Sequence, residues 1–233
     1  MLPLVLRNVS YAVNGRRILD DIAIEIDAGP RTVILGPNGA GKSVLMRICH
    51  GLLTPTAGRV EWLGAGSSRR QAMVFQRPVM LRRSALGNVM YGLKLAGVSA
   101  RECELRAHDV LEAVGLEQRA HQPARRLSGG EQQKLALARA WSLGPAVLFL
   151  DEPTANLDPA ATRELETIVG QICAGGTKIV MTTHNLGQAR RLGDEILFMD
   201  RGRLVERAPV DRFFTAPGTP EAAAFIRGEL PWT

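Results

Sequence analysis

The chain has 233 residues, of which 45% are hydrophobic and 22% charged, and this composition is typical of a globular protein. Its 29 lysine and arginine residues outnumber its 23 aspartate and glutamate residues, and the resulting charge of +6 favours anionic partners. The 5% of aromatic residues, the three widely separated cysteines and the lack of an apolar run of about 18 residues exclude a base-stacking surface, a disulfide framework and a membrane-spanning helix.

The N-terminal third of the chain is predicted to form short strands. Residues 4–9 and 22–26 alternate or run apolar on either side of a turn at Asn14-Gly15. Two further short strands are predicted at residues 58–62 and 72–75.

A glycine-rich loop lies between a predicted buried strand, Thr32–Leu35, and a helix that includes residues 44–49. Residues 36–43 are Gly-Pro-Asn-Gly-Ala-Gly-Lys-Ser, which fits the pattern G-x-x-x-x-G-K-[ST] at every fixed position. The glycines let the backbone approach a ligand, and the N–H groups of the loop and of the helix start form a cradle for phosphate. In this pattern Lys42 reaches the β- and γ-phosphates and the Ser43 hydroxyl ligates Mg²⁺. The loop alone leaves kinases, GTPases and motor proteins as alternatives.

The segment from about residue 84 to residue 143 is predicted to be a helical insert in an α/β core. Further helices are predicted within it at 102–114 and at 128–143. Apolar residues recur at helical spacing in its first part, at Leu86, Val89, Met90 and Leu93.

The C-terminal part is predicted to alternate strands and helices, which indicates a doubly wound parallel sheet. The tail is expected to pack against the core as one short helix that contains its apolar residues, Phe213, Phe214, Phe225 and Ile226. Strands are predicted at 146–150, 177–182, 195–199 and 204–206, and helices at 159–173 and 186–192.

Two acidic residues follow the predicted strand at 146–150. Asp151 and Glu152 are expected at the carboxyl edge of the sheet, beside the phosphate loop. There Asp151 would hold Mg²⁺ through water or the Ser43 hydroxyl, and Glu152 would polarise an attacking water molecule. The structural alternative is that Asp151 caps the turn after the strand.

Ser128-Gly129-Gly130-Glu131 opens the predicted helix at 128–143. Ser128 and Glu131 have the spacing of a capping box, and this helix-capping role alone would explain why these two residue types stand here. A cap does not require two consecutive glycines, so Gly129 and Gly130 indicate close approach of an anion to the positive helix end.

Two other polar residues follow predicted strands. His184 comes after the strand at 177–182, where it would hydrogen-bond a γ-phosphate and orient Glu152 and water. The alternative for His184 is a structural role. Gln76 comes after the strand at 72–75, where its amide would touch Mg²⁺ and the attacking water.

Taken together, these motifs resemble the ATP-binding subunit of an ABC transporter. The resemblance implies an α/β P-loop NTPase (RecA-like) fold with a mostly parallel sheet core, an N-terminal antiparallel β subdomain and an inserted α-helical subdomain. The implied boundaries are a core of about residues 1–77 and 145–210, a helical subdomain of about 78–144 and a short tail, 211–233. The matching segments lie in family order over roughly residues 4–207: 36–43, Gln76, 127–132, 148–154, 155–158 and His184.

The resemblance also implies that two copies stack head to tail, with each ATP between the phosphate loop of one copy and Ser128-Gly129-Gly130 of the other. Tyr11 is implied to stack on adenine, and Asp158 to link the two sites. The predicted catalytic residues are Lys42, Gln76, Glu152 and His184, and the predicted Mg²⁺ ligands are Ser43, Gln76 and Asp151. The predicted nucleotide-binding residues are Tyr11, Gly36, Pro37, Asn38, Gly39, Ala40, Gly41, Lys42, Ser43, Val44, Ser128, Gly129, Gly130, Glu131 and Asp158.

Segments 74–84, 183–192 and 225–230 are similar to those of tungstate importer ATPases, a group related to phosphate importers. They imply import of an oxyanion, and tungstate is the first candidate for the transported solute, followed by molybdate or phosphate. The expected partners are a second copy, membrane permease subunits and, indirectly, an external substrate-binding protein, and no nucleic acid is expected. The implied location is the cytoplasmic side of the cell membrane, since the N-terminus lacks a signal-peptide pattern. Arg82-Arg83 are expected to contact the permease or lipid headgroups or to be surface charge, and the other Arg-Arg pairs are expected to be solvated.

Three alternatives differ in class. A non-transport ABC ATPase of translation, DNA repair or iron–sulfur assembly is disfavoured, because the chain has one cassette, no long coiled-coil insert and no strong basic stripe. An exporter ATPase for lipid or lipopolysaccharide stays open, and co-purification with a permease and an external binding protein would distinguish an importer from it. A binding module without turnover is disfavoured by the presence of Lys42, Asp151, Glu152 and His184.

Overall fold

The computed structural model describes residues 2–64 and 71–229. Its internal contacts divide the chain into two compact units, a first unit of Met1–Arg69 with Lys178–Thr233 and a second unit of Arg70–Thr177. The last four residues of the predicted tail, 230–233, lie outside the described residues. No helix in the described part is long and apolar enough to cross a lipid bilayer.

The elements follow the order expected from the sequence, and β1 and β2 extend beyond their predicted ends to a hairpin turn at Asn14-Gly15. Short 3-10 turns lie at Glu117–Arg119 and Ala124–Arg126. The strands are β1 (Leu4–Val13), β2 (Arg16–Ile26), β3 (Thr32–Leu35), β4 (Ala57–Trp62), β5 (Gln71–Val74), β6 (Val147–Asp151), β7 (Lys178–Thr183), β8 (Glu195–Asp200) and β9 (Arg203–Pro209). The helices are α1 (Lys42–His50), α2 (Ala85–Leu95), α3 (Ala100–Ala113), α4 (Gly129–Trp141), α5 (Pro159–Ala174), α6 (Leu186–Leu192), α7 (Val210–Thr215) and α8 (Pro220–Ile226).

The first unit contains the expected antiparallel sheet, in which β1 lies between β2 and β4. Ile22, Ile24 and Ile26 of β2 are buried, whereas the residues between them are exposed. This alternation is what an antiparallel sheet with one solvated face requires.

A parallel arrangement in the same unit positions the glycine-rich loop. β3 pairs in parallel with β7 on one side and with β8 on the other, and β9 adds an antiparallel edge next to β8. All four residues of β3 are buried, as expected of a central strand covered on both faces. The loop after β3 therefore leaves the carboxyl end of a central parallel strand, where α/β folds bind their ligands.

The second unit combines the parallel pair β5 and β6 with α2, α3, α4 and α5. Helices α2, α3 and α4 pack on one another, and α4 also contacts β5. Leu93, Cys103 and Leu111 are fully buried between these elements. The helices predicted between residues 84 and 143 are thus confirmed.

The tail differs from the single helix that the sequence predicted, because α7 and α8 are separate. Between them, the carboxylate of Glu206 accepts hydrogen bonds from the backbone of Gly218 and Thr219, and Thr219 then caps α8. Phe213 and Phe225 are buried against Phe198, with ring centroids 5.7 and 5.2 Å away. Pro217, Gly218 and Pro220 lie between the two helices or at the start of the second, and because they are local helix breakers the sequence itself carried the signal for two helices.

A charged pair fixes the start of β3. The Asp194 carboxylate accepts hydrogen bonds from the backbone N–H of Arg31 (2.7 Å) and from its guanidinium (2.8 Å), and Arg31 holds the pKa of Asp194 below its ordinary value. A carboxylate whose pKa is lower in the folded than in the unfolded state stabilises the fold at pH values above its unfolded-state pKa. This contribution is lost as the pH falls through the folded-state pKa.

We therefore expect Asp194→Asn to lower the free energy of unfolding by about 1 kcal/mol at pH 7, a value that allows for the partial exposure of the pair. The difference from wild type should shrink as the pH falls below about 4. Urea unfolding at pH 7 and at pH 3 measures this, with Asp27→Asn at an exposed position as the control. If Asp194→Asn and wild type differ in free energy of unfolding by the same amount at both pH values, the stabilising role given to the Asp194 carboxylate is wrong.

Candidate functional site

The glycine-rich loop joins β3 to α1 in the first unit, which confirms the strand–loop–helix context predicted for residues 36–43. A Cβ at Gly36 would lie 2.1 Å from the carbonyl oxygen of Met199, so no larger residue fits there. Gly41 has a φ of 95° and begins α1 without a side-chain cap. A helix start of this kind favours an anion, since its N–H groups and dipole are directed toward the loop.

Lys42 lies against the backbone of this loop. Its side chain is buried, and its Nζ donates to the carbonyl oxygens of Gly36 (2.9 Å) and Pro37 (3.0 Å). A phosphate oxygen would offer the ammonium group a charged and therefore stronger acceptor than these neutral carbonyls.

A cavity of about 520 Å³ opens beside the loop, within the size range of small-molecule sites. Three segments line it: Arg16–Ile18, Pro37–Ala40 and Asp200–Gly202. The last segment is held by a hydrogen bond from the Gly202 N–H to the Ala40 carbonyl (3.1 Å). Its exposed arginine, Arg201, adds positive charge to the cavity wall.

Sequence reasoning missed these cationic residues. Arg16-Arg17 were expected to be solvated surface, and they are exposed, but they also line the cavity beside the phosphate loop. The position of Arg16-Arg17 directly after a hairpin turn was the sequence feature that could have indicated their place in the cavity wall. No sequence feature indicated the place of Arg201, because the β8–β9 turn reaches the loop through packing that is distant in sequence.

Tyr11 and His184 are the other predicted residues of the first unit. Tyr11 is half-buried on β1 opposite Leu19 of β2, and it is not among the residues that line this cavity. His184 is exposed between β7 and α6, next to a turn in which Thr183 accepts a hydrogen bond from the Asn185 N–H. Their roles toward a nucleotide stay predictions.

In the second unit, Asp151 is the last residue of β6 and Glu152 follows it, so both acids lie at the carboxyl end of the strand that the sequence predicted. Asp151 is only 3% exposed. Glu152 is half-buried and has a φ of 44°, a left-handed conformation that is uncommon for a residue with a side chain. Such backbone strain is concentrated at functional sites, and it directs attention to the Glu152 carboxylate.

Ser128 and Glu131 form the predicted capping box at the start of α4. The Ser128 hydroxyl accepts a hydrogen bond from the Glu131 N–H, and the Glu131 carboxylate accepts one from the Ser128 N–H (2.8 Å). The hydrogen bond from Ser128 lowers the pKa of Glu131. Ser128 is exposed, so a second molecule can reach this helix end.

The two glycines after Ser128 differ in their surroundings. A Cβ at Gly130 would lie 3.2 Å from the Cβ of Ala161 on α5, whereas a Cβ at Gly129 would meet nothing within 4 Å. Close packing of α4 on α5 therefore explains why a glycine occupies position 130, which the sequence did not indicate. At Gly129 the space beside the backbone is open.

Asp158 and Gln76 complete the predicted set. Asp158 caps α5 by accepting hydrogen bonds from the N–H groups of Ala161 and Ala160, and these bonds lower its pKa. Gln76 is exposed in the loop after β5, and the side chain of Gln133 donates to the carbonyl of Phe75 just before it. The capping role of Asp158 was not part of the prediction.

Comparison with known proteins identifies the family. A model described as "ABC transporter" matches residues 19–155. The chain is 37% identical to the tungstate uptake system ATP-binding protein TupC of Peptoclostridium acidaminophilum, over 91% of this chain and all of that protein. It is 33% identical to the phosphate import ATP-binding protein PstB 2 of Natronomonas pharaonis (97% and 87% covered) and 37% identical to the methionine import ATP-binding protein MetN of Caulobacter vibrioides (94% and 70%).

Solved structures agree with these relatives. An ATP-binding subunit of an ABC transporter superposes with a TM-score of 0.83 at 26% identity, covering 97% of this chain and all of that one. A dimeric ATP-binding cassette in a post-hydrolysis state with ADP and phosphate gives 0.79 at 27% identity, covering 89% and 98%. The chain has the P-loop NTPase fold and belongs to the ABC transporter family, as an ATP-binding subunit that hydrolyses ATP to drive transport.

Proposed function

We propose that this chain is the ATPase of an oxyanion importer, with tungstate as the first candidate cargo, and that it acts as a homodimer around two ATP molecules. The observation that carries the ATP-binding part of the proposal is the uncapped start of α1 with the buried ammonium of Lys42 held beside it. The similarity to TupC and PstB 2 supports an oxyanion, and the similarity to MetN makes methionine the competitor to test.

The phosphate loop would bind the triphosphate. Backbone N–H groups of residues 36–44 and the α1 dipole would face its oxygens, and Lys42 would leave two neutral carbonyls for the β- and γ-phosphates. The cavity beside the loop has room for the rest of the nucleotide, and Arg16 and Arg201 would add charge to its wall. Tyr11 would stack on adenine by analogy with the family.

Mg²⁺ fits the donors that the chain supplies. The candidate ligands are the Ser43 hydroxyl, the Gln76 amide and the buried carboxylate of Asp151, and all are hard oxygen donors. Within residues 2–64 and 71–229, no cluster of three or more His, Cys, Asp and Glu side chains could hold a metal alone. This suits a magnesium ion bound by few protein ligands together with phosphates and water, where its charge would stabilise the triphosphate.

Glu152 would act as the general base. Its left-handed backbone (φ 44°) marks a strained position of the kind found at functional sites, its carboxylate would face an attacking water, and His184 would contact the γ-phosphate. Gln76 would orient the same water molecule. The proton of water would pass to the carboxylate as the oxygen attacks the γ-phosphorus and ADP leaves.

The second copy would complete each site. Ser128 is exposed at the positive end of α4, and the backbone at Gly129 is open. These groups would bind the γ-phosphate of ATP held by the partner, with Gly130 and Glu131 supporting the helix end and Asp158 linking the two sites. The dimeric cassette among the similar structures supports a dimer of this chain.

The permease would dock on the second unit. A groove of about 330 Å³ lies between β5 with the loop after it and the C-terminal parts of α2 and α4. Phe75, Tyr91, Leu95 and Leu143 line this apolar groove, and each is more than a third exposed. Such a patch favours a protein partner, and permease contact would place the chain at the cytoplasmic side of the membrane.

Cargo-stimulated hydrolysis tests the proposal. The chain, its permease and the external binding protein are reconstituted in liposomes, and phosphate release is measured with tungstate, molybdate, phosphate or methionine supplied to the binding protein. We expect tungstate to raise turnover several-fold and methionine to leave it unchanged, with Lys42→Ala as the inactive control. Stimulation by methionine and by none of the oxyanions would contradict the oxyanion assignment.

A further inference from the structure

Ala161 on α5 contacts both chain segments that each copy is proposed to present to its partner. Its backbone N–H donates a hydrogen bond to the Asp158 carboxylate (2.9 Å). Its methyl group faces Gly130, in the first turn of the helix that Ser128 caps. One small residue therefore lies between the start of α4 and the start of α5, where Ser128 and Asp158 are exposed.

The two helices leave no room for a second methyl group at this point. A Cβ at Gly130 would lie 3.2 Å from the Ala161 Cβ, so one helix would have to move by a few tenths of an ångström. One turn further along, Lys134 of α4 pairs with Glu164 of α5 (2.9 Å). Because Glu164 is exposed, this pair contributes little, and the contact of Gly130 with Ala161 sets the separation of the helix starts.

The Asp158 carboxylate is fixed to α5 through one of its oxygens. Its Oδ1 accepts hydrogen bonds from the N–H groups of Ala160 (2.8 Å) and Ala161. Asp158 is exposed, so Oδ2 can face a second copy while Oδ1 stays bonded. A shift of α5 at Ala161 would therefore carry this carboxylate with it.

We infer that Ala161 is a positioning residue for the shared ATP site, because it holds Ser128 and Asp158 at one fixed separation so that both reach the partner together. The inference rests on the proposed homodimer and specifies the contact that aligns its partner-facing segments. It also separates the roles of the two glycines: Gly129 leaves space for the phosphate, and Gly130 lets α4 approach α5. Catalytic groups must be held to within about half an ångström, so a small displacement lowers the rate although no group that touches ATP is removed.

Adding and removing one methyl group across this contact tests the inference. Gly130→Ala adds the methyl group, and Gly130→Ala/Ala161→Gly removes the opposing one and restores the space. Gly170→Ala is the matched control, because Gly170 also lies in a helix, α5, but a Cβ there would meet no described atom within 4 Å. Phosphate release gives kcat and KM for ATP, and thermal unfolding shows whether each variant is folded.

We expect kcat to fall about tenfold in Gly130→Ala, while binding of ATP to the unaltered phosphate loop is kept. In the double variant, kcat should return to within about twofold of its value in Ala161→Gly alone. Gly170→Ala should behave like wild type. The inference is overturned if Gly130→Ala is as active as Gly170→Ala, or if Ala161→Gly does not relieve the loss.

Mixing with Lys42→Ala separates a misaligned partner face from a general loss of stability. In the mixed dimer, the phosphate loop of the Gly130→Ala chain meets the unaltered helix end of the other copy. We expect about one quarter of the sites of an equimolar mixture to hydrolyse ATP at the wild-type rate in a single turnover. If no such fast phase appears, Gly130→Ala disables its own copy and the inference is wrong.

A reference mixture distinguishes this failure from failure of the proposed function. Lys42→Ala mixed with Ser128→Arg tests the shared site without any change at the contact of Gly130 with Ala161. If this mixture recovers hydrolysis and the Gly130→Ala mixture does not, only the inference about Ala161 is overturned. If neither mixture recovers, the proposed shared site is wrong, and the inference that rests on it is wrong as well.

Discussion

Replacing Glu152 by glutamine is expected to lower ATP turnover by roughly 10²- to 10⁴-fold while ATP binding is retained. Glutamine has the same shape and the same tolerance of the left-handed backbone found at this position (φ 44°), but its amide cannot accept a proton from water. The phosphate loop in the first unit is unchanged by the substitution. The ATP-bound dimer should therefore accumulate, because binding proceeds and hydrolysis does not.

Phosphate release and light scattering with and without ATP measure the two effects. Glu164→Gln is the matched control, since Glu164 is an exposed helix carboxylate that pairs with Lys134 (2.9 Å) and has no proposed chemistry. Turnover that is unchanged in Glu152→Gln would reject the role given to this carboxylate.

Ser128→Arg is the second substitution with a large expected effect. Ser128 is exposed at the start of α4, so a long cationic side chain would fill the space proposed for the partner's γ-phosphate. Hydrolysis should be lost, whereas ATP should still bind to the unaltered phosphate loop of the same copy. The substitution also removes a helix cap, at a cost of about 1 kcal/mol.

A matched substitution separates these two effects. Ser99 caps α3 in the same way, by accepting a hydrogen bond from the Glu102 N–H. Ser99→Arg should show a similar loss of stability but keep normal turnover. If Ser128→Arg hydrolyses ATP as well as Ser99→Arg does, Ser128 has no part in the reaction.

The sequence predicted the elements whose causes are local. The strand–loop–helix around residues 36–43, the capping box of Ser128 and Glu131, and the helix that begins at Pro159 each follow from neighbouring residues, and all three are present. Local rules suffice because glycines, capping side chains and proline act within one turn.

Features that depend on distant contacts were not predictable. Arg201 joins the cavity wall through the β8–β9 turn, and Ala161 explains Gly130. In each case, residues more than ten positions apart meet only after folding, and hydrophobic periodicity carries no information about such pairs.

One mixing experiment tests the claim that ATP is held between two copies of the chain. Lys42→Ala removes the phosphate-loop ammonium and Ser128→Arg blocks the opposite face, so each variant alone should be inactive. In a mixed head-to-tail dimer, the loop of the Ser128→Arg chain would meet the unaltered helix end of the Lys42→Ala chain, which forms one complete site. We predict that an equimolar mixture of the two inactive chains recovers single-turnover hydrolysis, on the order of one quarter of the wild-type amplitude for random pairing in a two-site dimer. A mixture as inactive as its components would contradict the shared site.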